Sequence, residues 1–284
     1  MRFPPLIPMA AVLFGIAVAI VGVGLANAVA DPVVRRTGIA LPDWPAGAAP
    51  VTIALVSDLH VGNMTMRAGR LERMVAQVNA LRPDLVLMAG DFIGGHHRVD
   101  AALGEPILAR GLARLRAPLG VVAVLGNHDH WTDAVRVRRA LRRAGVTVLE
   151  NGAAVRGPVV IGGLDDRVTG HDRLRRTIAA MRAMPGGRVL LAHSPDTPPD
   201  LPDDITMLMA GHTHCGQVVL PVYGAVVSVS DHGDRYRCGI VPEKGRRTIV
   251  TAGLGTSGPP LRYGAPPDIW LIRLGPASVS RSRF

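Results

Sequence analysis

Five short apolar runs, each ending at aspartate, asparagine or histidine, constrain the fold of this chain more than any other feature of its sequence. The polar ends are Asp58-Leu59-His60, Gly90-Asp91, Gly126-Asn127-His128-Asp129, His193, and Gly211-His212-Thr213-His214. Short runs rich in β-branched residues are typical of buried strands. In open α/β sheets, functional groups collect just beyond the carboxyl ends of such strands. The sequence therefore predicts one polar site at the rim of a sheet, although each motif alone could be a helix cap.

The stretches between these runs predict an α/β fold. Apolar residues at helical spacing indicate helices over 66–81, 105–116, 133–144 and 173–184. After Gly216, short apolar runs alternate with glycine and proline turns, which favours antiparallel strands that close a second sheet. We therefore predict a four-layer α-β-β-α sandwich of two mixed β-sheets flanked by helices, over residues 51–284.

The amino-terminal 30 residues form a separate unit. No charged residue occurs from Phe3 to Ala30, and the apolar run is long enough to cross a bilayer as a helix. A signal peptide cut after Ala28-Val29-Ala30 is the alternative, but the length favours an uncleaved transmembrane anchor. Residues 31–50 contain four prolines and indicate a linker. We expect a single-pass protein of the inner membrane with its domain on the cytoplasmic face, the periplasmic face being the alternative.

Charge and cysteine content restrict the classes of partner and site. The formal net charge is +10, carried mainly by arginine, which favours an anionic partner such as a phospholipid surface, a nucleotide or a polyphosphate. Arginines on the predicted helix after Trp131 suggest that Trp131, Arg138 and Arg142 bind substrate, unless that face is merely solvated. Cys215 and Cys238 are the two cysteines, which excludes a structural zinc ribbon and leaves one disulfide open.

The residue types at the strand ends are those of a metal centre. Carboxylate, imidazole and amide ligands without thiolate suit manganese, iron, zinc or magnesium. Eight candidates are too many for one ion, so we expect two divalent ions that share a carboxylate. Such a pair binds phosphate and activates water for phosphoester cleavage. Manganese is the first choice, with iron, zinc or magnesium as alternatives.

Taken in order, the motifs resemble those of the calcineurin-like metallophosphoesterases from Val51 to about Leu274. The resemblance implies that Asp58, His60 and His214 bind the first ion and that Asp91 bridges. It places Asn127, His193 and His212 on the second ion. It also implies that His128 protonates the leaving oxygen and that Asp129 orients His128. Gly94 stands where the family commonly has a second aspartate.

A group of further motifs is similar to one membrane-associated branch of that family, the YaeI/YkuE type. Besides the hydrophobic anchor, these motifs are Ser57-Asp-Leu-His60, Asn127-His-Asp-His-Trp131, His193-Ser-Pro-Asp196, Gly211-His-Thr-His-Cys-Gly-Gln217 and the stretch from Gly253 to Arg262. The resemblance implies cleavage of the pyrophosphate of UDP-2,3-diacylglucosamine, a step of lipid A synthesis. We therefore expect a metal-dependent hydrolase of phosphodiester or pyrophosphate bonds in a membrane-lipid precursor.

Two other functions compete with this expectation. A broad-specificity phosphatase or phosphodiesterase of the cell envelope would use the same site. A nuclease-like protein would explain the positive charge, but only ten of the 284 residues are Trp, Tyr or Phe, so aromatic surfaces for base stacking are scarce. We therefore expect neither a nucleic-acid partner nor an obligate protein partner.

Overall fold

Two six-stranded β-sheets pack face to face in the computed structural model, which describes residues 6–243 and 245–277. The strands are β1 (Val33–Ala40), β2 (Val51–Val56), β3 (Leu85–Ala89), β4 (Val121–Val124), β5 (Thr147–Val148), β6 (Gly152–Arg156), β7 (Val159–Gly163), β8 (Gly187–Leu191), β9 (Met207–Ala210), β10 (Val219–Leu220), β11 (Gly224–Ala225), β12 (Gly239–Glu243), β13 (Arg246–Val250) and β14 (Asp268–Gly275). The helices are α1 (Leu6–Val29), α2 (Ala68–Ala80), α3 (Arg98–Leu112), α4 (Asn127–Thr132), α5 (Ala134–Arg143) and α6 (Leu174–Arg182).

Both sheets are mixed. The first has the order β1-β14-β2-β3-β4-β5, and only the β14–β2 pair is antiparallel. The second has the order β12-β13-β9-β8-β7-β6, with antiparallel pairs at its two edges. Strands β10 and β11 form a separate two-stranded hairpin.

Three layers of apolar side chains hold the sandwich together. On β2, Ile53 and Leu55 join the cluster between the two sheets, whereas Ala54 and Val56 face the cluster beneath α2, α3 and α5. A third cluster lies between the second sheet and α6. Because successive strand residues point to opposite faces, a strand buried on both faces must be apolar throughout, as the sequence indicated. The predicted four-layer arrangement is confirmed.

Two elements differ from the sequence-based expectation. Val33–Ala40, within the expected linker, is an edge strand that pairs in parallel with β14, and Arg35 forms a 2.8 Å ion pair with Asp268. The prolines on either side limit this strand without interrupting it. Strand β14 was expected in the second sheet but lies inside the first, beside β2. It is apolar on both faces, with Ile269 beneath the helices and Ile272 between the sheets, which fits an interior position.

Helix α1 meets the predicted bilayer-crossing length. Within the described residues, it is the one helix long and apolar enough to cross a membrane, over Ala11–Val29 with a mean hydropathy of 2.4. Only Gly24 and Ala28 are buried among residues 11–29. They face the domain, where the backbone N–H of Arg262 donates to the Gly24 carbonyl at 3.0 Å. The end of α1 is therefore docked on the loop that precedes β14.

Candidate metal centre

All seven predicted metal ligands lie together where five strands end. Asp58 and His60 follow β2, Asp91 follows β3, and Asn127 follows β4. His193 follows β8, and the two histidines of the loop after β9 complete the set. Both sheets therefore contribute to one site, because the carboxyl ends of their parallel strands meet at the same edge of the sandwich.

The first group of donor atoms comes from Asp58, His60 and His214. The Nε2 atoms of the two histidines are 3.1 Å apart. Asp58 Oδ1 lies 4.0 Å from His60 Nε2 and 3.5 Å from His214 Nε2. All three side chains are buried.

The second group is built around His193. Its Nε2 lies 3.3 Å from Asp91 Oδ2, 3.0 Å from Asn127 Oδ1 and 3.1 Å from His212 Nδ1. Asp91 Oδ2 is also 3.6 Å from His60 Nε2. Asp91 therefore lies between the two groups, at the place of a bridging ligand.

Most of these spacings, 3.0 to 3.6 Å, are close to those of metal ligands, and the longest, 4.0 Å, separates Asp58 Oδ1 from His60 Nε2. Donor atoms around one ion are about 3.0 to 3.4 Å apart when each bond is about 2.1 Å long. Asp58 Oδ1 is buried and has no hydrogen-bond partner among the described residues, while Oδ2 accepts from the backbone N–H of His212 at 3.1 Å. A carboxylate oxygen left bare and faced by two imidazoles suits a cation. The donor set therefore fits two divalent ions.

The electrostatics of the site keep most of the imidazoles available as ligands. Burial lowers the pKa of His60 to about 3 and that of His212 to about 4, so both rings are neutral near pH 7. His193 differs: burial lowers its pKa, but the Asp91 carboxylate raises it to about 10. A proton on His193 balances the charge of Asp91, and a bound cation would take over that role.

The backbone at the ligands is strained. Asp58, His60, Asp91, His212 and His214 have φ angles between 49° and 70°, the left-handed region. Each such residue costs about 1–3 kcal/mol, and this strain persists only where the surroundings impose it. The turns after the strands therefore aim these five side chains at a common centre at some cost in stability.

Glycine precedes several ligands because the loops approach one another closely. A Cβ on Gly90 would lie 2.7 Å from His193 Nδ1, and one on Gly211 would lie 2.5 Å from Asp58 Oδ2. A Cβ on Gly126 would collide with the Asp91 carboxylate. The Gly-Asp, Gly-Asn and Gly-His pairs of the sequence thus have a steric cause.

His128, the predicted acid, lies at the edge of the site. Its Nδ1 donates to the carbonyl of Gly95 at 2.8 Å, and its Nε2 is 3.3 Å from the Ser257 hydroxyl. Its backbone N–H donates to Asp91 Oδ1 at 2.9 Å. The carbonyl fixes the hydrogen on Nδ1, so Nε2 is the nitrogen that exchanges a proton with the cleft.

Asp129 acts through the backbone, and not on the His128 ring as the resemblance implied. Its carboxylate accepts from the N–H groups of Gly126, Asp91, Phe92 and Ile93 at 2.8 to 3.2 Å. These bonds join the loop after β3 to α4. Asp129 therefore positions Asp91 and the start of α4, while the Gly95 carbonyl orients the His128 ring.

A cleft of 460 Å³ opens above the donor atoms. Besides metal-site residues it is lined by Trp131 and by the apolar side chains Val218, Val226, Val227 and Val229. The structure brings Trp131 to the cleft but does not bring Arg138 and Arg142 there. Both pair with Glu150, at 2.6 and 3.9 Å, and line a separate surface depression on α5.

Arg262 is a site residue to which the sequence analysis gave no role. Its guanidinium is fully buried and donates to the carbonyls of Ala252 at 2.7 Å and Gly255 at 2.6 Å. It also lies 3.3 Å from Nδ1 of His214. Arg262 therefore holds the loop after β13 against His214, a predicted metal ligand. The sequence signal that could have identified Arg262 is a single arginine in a glycine- and proline-rich stretch. Ser257, beside His128, was missed in the same stretch.

The two cysteines form a disulfide, the option that the sequence left open. Their Cα atoms are 4.7 Å apart. Cys215 directly follows His214, a predicted metal ligand, and Cys238 precedes β12. The bridge closes the segment that carries the valines of the cleft, and so fixes both ends of that segment to the body of the domain.

The sequence of this chain is similar to those of known phosphoesterases. The model of the calcineurin-like phosphoesterase family matches residues 51–216. A metallophosphoesterase of Aquifex aeolicus is 29% identical over 230 residues, 79% of this chain and 85% of the relative. The metallophosphoesterase YkuE of Bacillus subtilis is 30% identical over 242 residues, 81% of each. A transmembrane protein with a metallophosphoesterase domain from Danio rerio is 29% identical over 277 residues, 88% of this chain and 59% of the relative.

Proposed function

Because this chain belongs to the calcineurin-like phosphoesterase family, we propose that it hydrolyses a phosphodiester or pyrophosphate bond in a lipid-linked substrate at the membrane. One observation carries the proposal: two groups of buried donor atoms share Asp91 and open into a cleft with an apolar wall. The donor atoms suit the phosphate, and the wall suits an attached hydrocarbon chain.

The chain's own residues divide the work of hydrolysis. Asp58, His60 and His214 would hold one ion, and Asn127, His193 and His212 the other, with Asp91 between them. When bound, two divalent ions supply positive charge for the phosphate and lower the pKa of the attacking water. His128 gives its Nε2 proton to the leaving oxygen, while the Gly95 carbonyl keeps the ring in place. We propose manganese as the first metal to test, with iron, zinc and magnesium as alternatives.

The wall of the cleft supports a substrate with an apolar part. Val226, Val227 and Val229 remain exposed although they line a cleft above charged groups. A small phosphate ester would leave them in water, whereas an acyl chain would bury them at about 25 cal/mol per Å² of apolar surface. UDP-2,3-diacylglucosamine has this combination of pyrophosphate and acyl chains, and is the specific substrate that we propose for a cytoplasmic domain.

The disulfide favours a second candidate. Disulfides persist in oxidising compartments and are rare in the cytosol, so Cys215–Cys238 supports an extracytoplasmic domain. A nucleotide-linked sugar would not be the substrate there. The same site would then serve as a cell-envelope phosphodiesterase or phosphatase that acts on lipid-linked phosphate esters of the outer face.

Hydrolysis by the full chain in lipid vesicles tests the proposal. We expect the protein to be inactive after chelation and active with Mn²⁺, and to cleave UDP-2,3-diacylglucosamine much faster than its deacylated analogue. Val227→Asp should reduce this preference, whereas Val168→Asp, at an exposed valine outside the cleft, should not. Equal turnover of both substrates would contradict a lipid-linked substrate on either face and would favour a broad-specificity phosphatase of the cell envelope. A metal-loaded chain that cleaves no phosphate ester would refute both.

A further inference from the structure

An uncharged, exposed hairpin stands beside the cleft. It comprises residues 218–229, including β10 and β11, and no Asp, Glu, Lys or Arg occurs from Cys215 to Ser230. Tyr223 at its tip is 74% exposed and Val227 is 61% exposed, while Val222 is fully exposed. Val222 also has a φ of 68°, which a β-branched residue adopts only at a cost. A contiguous apolar patch of this kind marks an interaction surface.

The base of the hairpin is bonded to the loop on which α1 docks. The N–H of Tyr263 donates to the Gln217 carbonyl at 3.0 Å, and the N–H of Val219 donates to the Tyr263 carbonyl at 2.8 Å. On its other side Tyr263 contacts α1, where its hydroxyl donates to the carbonyl of Ile20. Tyr263 therefore lies between α1 and the base of the hairpin.

The position of that contact along α1 indicates how deep the hairpin would lie in a bilayer. Ile20 precedes the end of α1 by nine residues, or about 13 Å at 1.5 Å per residue. It falls within Ala11–Val29, the stretch able to cross a membrane. A bilayer around this stretch therefore reaches the level of Tyr263 and of the hairpin beside it.

The loop beside this contact presents no exposed charge. From Ser257 to Gly264, the loop contains one charged residue, Arg262, whose side chain is fully buried against the metal site. Asn27 of α1 uses its side-chain amide to bond the Arg262 carbonyl at 3.1 Å. The surface formed by the hairpin and this loop thus offers the lipid no exposed charge.

We propose that the hairpin, residues 218–229, inserts into the bilayer beside α1, so that the cleft opens at the lipid surface. The occupant of this surface is the apolar layer of the membrane. Val226, Val227 and Val229 belong both to the hairpin and to the cleft. A lipid chain would then pass along the hairpin from the bilayer to the metal site without crossing water. This last step rests on the proposed function, whereas the insertion does not.

Fluorescence of single added tryptophans in the full chain tests the insertion. Tyr223→Trp and Val168→Trp are reconstituted in phosphatidylcholine vesicles with brominated acyl chains, and the signal of the parent chain is subtracted. We expect the tryptophan at position 223 to be quenched by the brominated lipid and shielded from iodide, and the one at position 168 to show the reverse. Iodide quenching at position 223 equal to that at position 168 would overturn the proposal, and would leave a second protein as the occupant.

A variant with two glutamates at the tip of the hairpin distinguishes membrane insertion from substrate preference. Val222→Glu combined with Tyr223→Glu changes residues that do not line the cleft, so cleavage of a small chromogenic phosphodiester should be unchanged. Cleavage of an acylated substrate in vesicles should fall by at least about tenfold, a barrier change of about 1.4 kcal/mol. Lipid quenching at position 223 without any acyl preference would support the insertion and contradict the proposed substrate. Unchanged cleavage of a substrate that the parent prefers in its acylated form would contradict the role of the hairpin.

Discussion

At the residue scale, Asp91 and His128 are neighbours in the site, and we expect them to have different roles. Asp91 presents Oδ2 to both groups of donor atoms and Oδ1 to the backbone N–H of His128. His128 directs its Nε2 toward Ser257 and the cleft, and its Nδ1 is occupied by a carbonyl. Loss of the Asp91 carboxylate should empty the site of metal. Loss of the His128 ring should leave the metals bound and slow the turnover.

We therefore predict opposite signatures for His128→Ala and Asp91→Asn. His128→Ala should keep its metal content while turnover falls by about two to four decades, the range for a lost general acid. Asp91→Asn should lose both metals together, because one charged oxygen serves both groups. Metal analysis after gel filtration, combined with turnover of a small phosphodiester, checks both variants. A metal-free His128→Ala would make His128 a ligand, and an Asp91→Asn variant with two tightly bound ions would exclude the bridge.

At the element scale, the strands and their ends could be predicted, whereas the contacts between loops could not. The hydrophobic pattern identified β2, β3, β4, β8 and β9, because each is an apolar run followed by a cluster of polar residues. It missed β1, whose Arg35 and Arg36 interrupt the apolar pattern. The start of α3 was also missed: apolar spacing predicted a helix over 105–116, whereas the helix runs from Arg98 to Leu112.

The roles of two site residues depended on contacts distant in the chain. Arg262 donates hydrogen bonds to loop carbonyls in a turn that hydrophobic periodicity does not predict. Asp129 accepts hydrogen bonds from the backbone N–H groups of residues 36 to 38 positions earlier in the chain. A motif shows which residue types occur at a strand end. The partner that each side chain finds depends on how the loops pack.

The docking of α1 on the domain is a second feature at this scale, and it depends on Gly24, which has no side chain. A Cβ on Gly24 would lie 2.7 Å from Tyr263 Cε2, whereas one on Gly22 would meet nothing within 4 Å. We predict that Gly24→Leu separates α1 from the loop and costs about 1–3 kcal/mol, the usual effect of overpacking. For a domain of this size, Tm should fall by about 2–4 °C per kcal/mol.

Gly22→Leu is the matched control for this change, because it adds the same side chain to the same helix. Thermal unfolding of the full chain in detergent checks both variants, and we expect a lower Tm for Gly24→Leu alone. Equal Tm values for the two variants would show that α1 does not pack on the domain.

At the scale of the whole molecule, the side of the membrane decides between the two candidate substrates. The charged residues next to α1 do not settle the orientation, because arginines flank this helix on both sides, Arg2 on one and Arg35 and Arg36 on the other. The sequence alone favoured the cytoplasmic face. The Cys215–Cys238 bridge supports the opposite face, since its thiols would stay reduced in the cytosol.

We therefore predict that the domain lies outside the cytoplasm with the disulfide closed. Alkaline phosphatase fused to the carboxyl end should be active, because that reporter folds only where its own disulfides form. Neither cysteine of the full chain should react with a maleimide in denaturant until a reductant is added. An inactive reporter together with two free thiols would place the domain in the cytoplasm. The disulfide would then no longer support an extracytoplasmic domain. UDP-2,3-diacylglucosamine would be favoured as the substrate over a lipid-linked phosphate of the outer face.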